Sequence, residues 1–351
     1  MKPTMDRVMP YRSLGILLLM LAMHAFQACS EQSGEGEARA VDSGRQSSEE
    51  GNRVERITSK ILEKPNNPNL YISRALAYAD EQKYNLALRD VDRALSIDST
   101  VSFFYATKGE LYFLTRDLRS ARLSLERAIE YDDENIEALL KLGEVLFLLR
   151  RYPESISRID DALRIKQRLP KAYFLKGYIF KELGDTTRSI SSFQTATEVD
   201  PEYFEAFMEL GHLYAYRKDP IALEYLNTAL EINPKSAEAW YQLGLFYQSQ
   251  GMLDEAADAY ESLVREDPGS FLGYYNLGYL YLTETERYDI ALAYFDSVLA
   301  VQPAALDALY NKGVCYEEMG RTQTAHDVFR EVLSMDPQHT LAAKGVERTL
   351  P

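Results

Sequence analysis

The chain has 351 residues, 39 Lys and Arg against 54 Asp and Glu, a formal charge of −15 and two cysteines. Apolar residues make up 46%, which excludes global disorder, and the acidic balance argues against nucleic acid as a main partner because no phosphate-neutralising excess exists. Two cysteines exclude a disulfide scaffold, while 25 Tyr and 14 Phe beside a single Trp are an aromatic excess that needs a cause.

Residues 1–13 carry Lys2, Arg7 and Arg12 against Asp6, and 14–23 reads Leu-Gly-Ile-Leu-Leu-Leu-Met-Leu-Ala-Met. That apolar run falls short of the roughly 20 residues a bilayer span takes, and it has the proportions of a signal-peptide core. Phe26-Gln27-Ala28-Cys29-Ser30 follows. A cysteine after a small residue at the end of an apolar core resembles the lipobox of bacterial lipoproteins. By that resemblance residues 1–28 are a signal peptide and Cys29 is lipidated. The protein would then sit in the bacterial cell envelope, on the periplasmic or surface side of the outer membrane, touching the membrane through its lipid anchor only. The residues themselves also fit a plain cleaved signal or a retained anchor. Loss of 1–28 removes three positive charges and one negative, leaving −17.

Residues 29–51 are acidic, rich in Ser, Gly and Glu, and almost free of large apolar side chains. Such a stretch buries too little surface to offset its ordering entropy, which predicts a flexible tether. Residues 52–67 read as a capping helix, half of one repeat.

From residue 68 to 339 the chain repeats eight times. Tyr71, Tyr105, Leu139, Tyr173, Phe207, Trp240, Tyr274 and Leu309 align. Four residues later stand Ala75 and then Gly109, Gly143, Gly177, Gly211, Gly244, Gly278 and Gly313. Small residues recur at Ala87, Ala121, Ser155, Ser189, Ala222, Ala256, Ala291 and Ala325, and the later units close on Pro201, Pro234, Pro268, Pro303 and Pro337. The period is 34 residues, with one deletion at Asp219-Pro220 and one insertion in 283–287. Each unit holds two stretches of helical period separated by turn residues, and one helical pair cannot bury both its faces, so the units must stack. This pattern resembles the tetratricopeptide repeat. The resemblance implies an all-α fold, a right-handed superhelical α-solenoid of about eight helix pairs. Residues 340–351 read as a capping helix at the other end.

No P-loop, G-x-G-x-x-G, H-E-x-x-H or nucleophile elbow occurs, and none of His24, His212, His326 and His339 has a ligand-spaced partner. The expectation is a protein that is not an enzyme and binds no metal or cofactor. Cys315, inside an apolar helix, reads as a small buried hydrophobe.

In proteins of the resembled family the first helix of each unit lines a concave groove that holds a peptide or extended protein segment. Residues just after the first aromatic position, and just after the glycine, share that face, Glu110 and Glu144 among them. From the fourth unit on the face is rich in Tyr, a ring that offers rigid contact area with a polar tip, and Asn can bond a bound backbone both ways. The candidate groove is therefore Phe174, Tyr178, His212, Tyr241, Tyr275, Asn276, Tyr279, Tyr310 and Asn311. The other reading of these residues is that some rings pack on neighbouring helices. The function expected is a scaffold or adaptor for other proteins; the alternatives are a structural, self-associating lipoprotein and a regulatory subunit of an envelope enzyme.

Overall fold

The computed structural model describes residues 43–350, with side chains from residue 53; the signal segment 1–28, Cys29 and residues 30–42 lie outside the described residues. These described residues form 18 α-helices and no strand. A leading helix, α1 (Ser43–Glu63), precedes eight pairs. The pairs are α2 (Pro68–Asp80) with α3 (Tyr84–Ile97), α4 (Ser102–Leu114) with α5 (Leu118–Tyr131), α6 (Ile136–Leu148) with α7 (Tyr152–Ile165), and α8 (Pro170–Glu182) with α9 (Thr186–Val199). Then come α10 (Phe204–Tyr216) with α11 (Ile221–Ile232), α12 (Ala237–Ser249) with α13 (Leu253–Glu266), α14 (Phe271–Thr283) with α15 (Tyr288–Val301), and α16 (Leu306–Glu318) with α17 (Thr322–Met335). A last helix, α18 (Thr340–Arg348), follows.

The chain divides into two compact units, 43–192 and 193–350, with the boundary inside α9. Each is an α-solenoid of stacked helix pairs whose core is a string of local apolar clusters. The helix α1 begins nine residues inside the stretch expected to be tether. Ile57 and Ile61 of α1 pack into the cluster of Tyr71 and Ile72, which anchors the helix. Once anchored it extends backwards at one hydrogen bond per residue without a new nucleus.

Helix starts follow local chemistry. Asp117, Asn135, Ser236 and Ser270 each accept the backbone N–H three residues on, and Pro68 and Pro170 sit where a helix has no N–H to lose. The two helices of every pair are joined through one residue in the left-handed region. These are Gln82, Arg116, Arg150, Gly184, Lys218, Gly251, Glu286 and Gly320, with φ between 54° and 74°. Five of the eight are not glycine, and a side chain there crowds its own backbone. Arg116→Gly and Arg150→Gly are expected to stabilise the first unit by about 0.5 kcal/mol each, the relief of that crowding less glycine's extra unfolded-state entropy. A lower denaturation midpoint in either variant would contradict this.

The glycine column sets how closely a pair crosses. A Cβ at Gly109 would lie 2.6 Å from Leu125, at Gly244 2.5 Å from Tyr260, and at Gly313 2.6 Å from Phe329. Where units three and four carry Ser in place of Ala, the hydroxyl stays buried by donating to the glycine carbonyl of its own pair: Ser155 to Gly143 at 2.6 Å and Ser189 to Gly177 at 2.9 Å.

The aromatic column does more than fill space. Tyr71, Tyr105 and Tyr173 donate their hydroxyls to the carbonyls of Pro65, Ser99 and Gln167, and Trp240 donates its indole N–H to Pro234, all at 2.9–3.1 Å and all six residues back. Each ring thus latches the turn that precedes its own helix. Successive pairs are further tied by ion pairs: Lys108 to Asp92, Lys176 to Asp160 and Lys312 to Asp296, at 2.6–2.8 Å.

Candidate partner-binding face

The first helices of neighbouring pairs touch directly, α4 with α6 and α6 with α8 in one unit, α10 with α12, α14 with α16 and α16 with α18 in the other. The first helices therefore form the closely packed side of each stack, and the expected site residues all lie on them.

In the unit 43–192, Phe174 and Tyr178 stand one turn apart on α8, ring centroids 4.9 Å apart in an edge contact, and Phe174 is buried. Lys181 lies over the Tyr178 ring at 5.4 Å. On the same side of this unit a charged cluster is buried. The Lys141 ammonium is 3.1 Å from Glu110 and 3.1 Å from Glu144, and it sits over the Phe113 ring at 4.3 Å. The Glu144 side chain is 0% exposed, and neither of its oxygens finds an aligned hydrogen bond, so its charge is balanced by Lys141 and, at 3.8 Å, by Lys171. Burial pushes the Lys141 ammonium down, but Glu144 and Glu110 outweigh it and hold it above its ordinary range. Sequence reasoning placed Glu110 and Glu144 on the partner-facing side; the structure closes Glu144 off from solvent.

In the unit 193–350 the remaining candidates divide by what they touch. Tyr275 sits among Phe271, Tyr279 and Phe295 at centroid distances of 5.8, 6.4 and 6.0 Å, and its hydroxyl accepts a hydrogen bond from Asn311 on α16 at 3.2 Å. Burial, with Asp307 adding to it, pushes the Tyr275 hydroxyl up to about 12, so it stays neutral and keeps its hydrogen. Asn311 is itself buried. Tyr310 packs on Phe329 at 5.6 Å and under His339 at 5.3 Å, so α18 covers it. For Tyr275, Tyr310 and Asn311, packing between helices is what the structure shows.

Tyr275 and Tyr310 nonetheless remain half-buried, as do His212, Tyr241 and Tyr279. Tyr241 leans on the cluster of Tyr260 and Leu263, where the buried Tyr260 hydroxyl donates to Gln248 at 3.0 Å. His212 Nε2 is buried without a hydrogen-bond partner, and so is Asn276 Nδ2. Glu238, on α12, lies in the field of His212; burial pushes its carboxyl up, the neighbouring Glu209 adds to this, and His212 opposes it. Cys315 is buried and free, its thiol pushed up to about 12 by burial, which makes it a core residue rather than a nucleophile. Among the described residues no group of three His, Cys, Asp or Glu could hold a metal ion, and no helix is long and apolar enough to cross a membrane.

Models of the tetratricopeptide repeat match residues 107–170, 220–271 and 275–340, and a second such model matches 170–203. Together they take in more than half of the sequence. The chain belongs to the tetratricopeptide repeat family. It is 23% identical over 300 residues to human Superkiller complex protein 3, covering 83% of this chain but 19% of that protein. It is 22% identical over 240 residues to the peroxisomal targeting signal receptor of Saccharomyces cerevisiae, covering 65% of this chain and 39% of the receptor. The chain thus spans a minor part of the length of the relatives it matches. Among solved structures, PilF of Pseudomonas aeruginosa superposes with a TM-score of 0.52 at 18% identity, over 59% of this chain and 94% of PilF, a likeness of fold.

Proposed function

We propose that this tetratricopeptide repeat protein is an adaptor anchored in the bacterial envelope through Cys29, and that the closely packed side of its stacks receives an extended segment of a partner protein. One observation carries the docking: the unit 193–350 presents half-buried His212, Tyr241 and Tyr279 on the first helices of three successive pairs. A half-buried tyrosine supplies rigid contact area at small entropic loss. The anchoring rests on the basic start, the short apolar core and Ala28-Cys29.

A photo-crosslinking residue placed at Tyr279 in living cells tests both parts. The expected result is a discrete adduct in the membrane fraction, moved to the soluble fraction by Cys29→Ser. The same residue at Asp254, exposed on α13, serves as the control. No adduct at Tyr279, or equal adducts at both positions, would sink the docking; an unchanged fraction after Cys29→Ser would sink the anchor.

A further inference from the structure

The acidity of this chain is not spread along it. Residues 53–192 hold 24 Lys and Arg against 21 Asp and Glu, a net charge of +3, while residues 193–351 hold 10 against 26, a net charge of −16. The second unit carries virtually all of the excess, and its first helices share in it. On α10, α12, α14 and α16 stand six acids and one base. That base, Lys312, is occupied by Asp296 at 2.6 Å. Among the acids, Glu317 is held by Arg348 at 2.6–2.7 Å. Among the described residues Glu238 and Asp307 have no Lys or Arg within ion-pair distance; Glu238 stands one turn before Tyr241 on α12, and Asp307, on α16, lies in the field of Tyr275.

Resting on the docking face above, we propose that the unit 193–350 binds an extended peptide segment rich in Lys and Arg. Cationic side chains would meet Glu238 and Asp307 and lie against Tyr241 and Tyr279. Three features of the charge distribution select this occupant. Glu238, a half-buried carboxylate beside His212 and the like-charged Glu209, gains from an incoming cation. An anionic segment would be repelled by the net −16. A second copy of the chain is a poor fit, because each copy carries −15 overall and several bases of its first unit are already engaged, Arg74 with Asp90, Lys108 with Asp92 and Lys176 with Asp160 among them.

Fluorescence anisotropy of the purified full chain tests this with three labelled dodecapeptides of alternating Lys-Ser, Glu-Ser and Gly-Ser. The Lys-Ser peptide is expected to bind about tenfold tighter than Gly-Ser, to weaken markedly between low and physiological salt, and Glu-Ser not to bind. Glu238→Gln with Asp307→Asn is expected to weaken it about tenfold, while Asp254→Asn with Asp258→Asn, the same charge change on the exposed side of α13, leaves affinity within about twofold. Equal loss in both double variants would reduce the effect to net charge and overturn the site, as would equal binding of Lys-Ser and Gly-Ser. Circular dichroism melts check that both variants stay folded. The adduct at Tyr279 separates this inference from the reading it rests on: a neutral or acidic partner segment there leaves the adaptor standing and overturns the basic ligand, whereas an adduct with a second copy of the chain overturns both.

Discussion

Lys141→Met is expected to lower the unfolding free energy of the first unit by about 3 kcal/mol, the loss that follows when one member of a buried ion pair is removed. The size follows from where the charges lie. Glu144 is fully buried, its nearest cation is the Lys141 ammonium at 3.1 Å, and only Lys171 at 3.8 Å would remain. Glu110 would lose the same partner but is partly exposed, so water takes over much of its balance. Met keeps the length and apolar stem that rest on Phe113, which separates the lost charge from lost packing. The double variant Lys141→Met with Glu144→Leu is expected to recover most of the loss, since an apolar pair removes the stranded carboxylate. Chemical denaturation followed by circular dichroism reads both. A loss below about 1 kcal/mol in the single variant would mean that water reaches Glu144 as freely as it does a surface ion pair.

The helix pairs are legible in the sequence because a stacked repeat imposes the same steric demand every 34 residues. Gly109, Gly244 and Gly313 recur because the facing Leu125, Tyr260 and Phe329 leave no room for a Cβ. The aromatic column is legible as a column but not as a latch. Whether Tyr105 fills a gap or reaches back to the Ser99 carbonyl depends on the path of the preceding turn, which no spacing encodes. The limit of α1 is hidden for a related reason: 43–51 lacks apolar periodicity, and the helix there follows from the anchored turns after it.

The candidate face is legible only in part. Counting along the repeat places a residue on a first helix, but not the depth at which its neighbours bury it. Glu144 and His212 occupy equivalent positions after the glycine, yet one is sealed off under Lys141 and the other keeps a half-buried ring. Tyr275 and Tyr310 are also equivalent, yet α18 covers Tyr310 alone. The split of charge between the two units, by contrast, is present in the sequence and needs only the boundary within α9 to be seen.

The end of the stack supplies the second large effect. Phe329→Ala is expected to cost about 3–5 kcal/mol, as for other buried aromatics cut to Ala. Phe329 is fully buried between two glycines, and a Cβ on either Gly313 or Gly345 would come within 2.6 Å of the ring. Its ring contacts both α16 and α18 from α17, and Tyr310 rests on it at 5.6 Å. A cavity here has little chance to collapse, because the glycines on both sides carry no side chain that could move in. In a stack each pair is supported mainly by its neighbours, so the damage should stay local. Hydrogen exchange is expected to quicken through α16–α18 and around Tyr310 while the unit 43–192 keeps its protection. Exchange that quickens equally in both units would show that the two unfold as a single body, and the local stacking argued from these contacts would then be wrong.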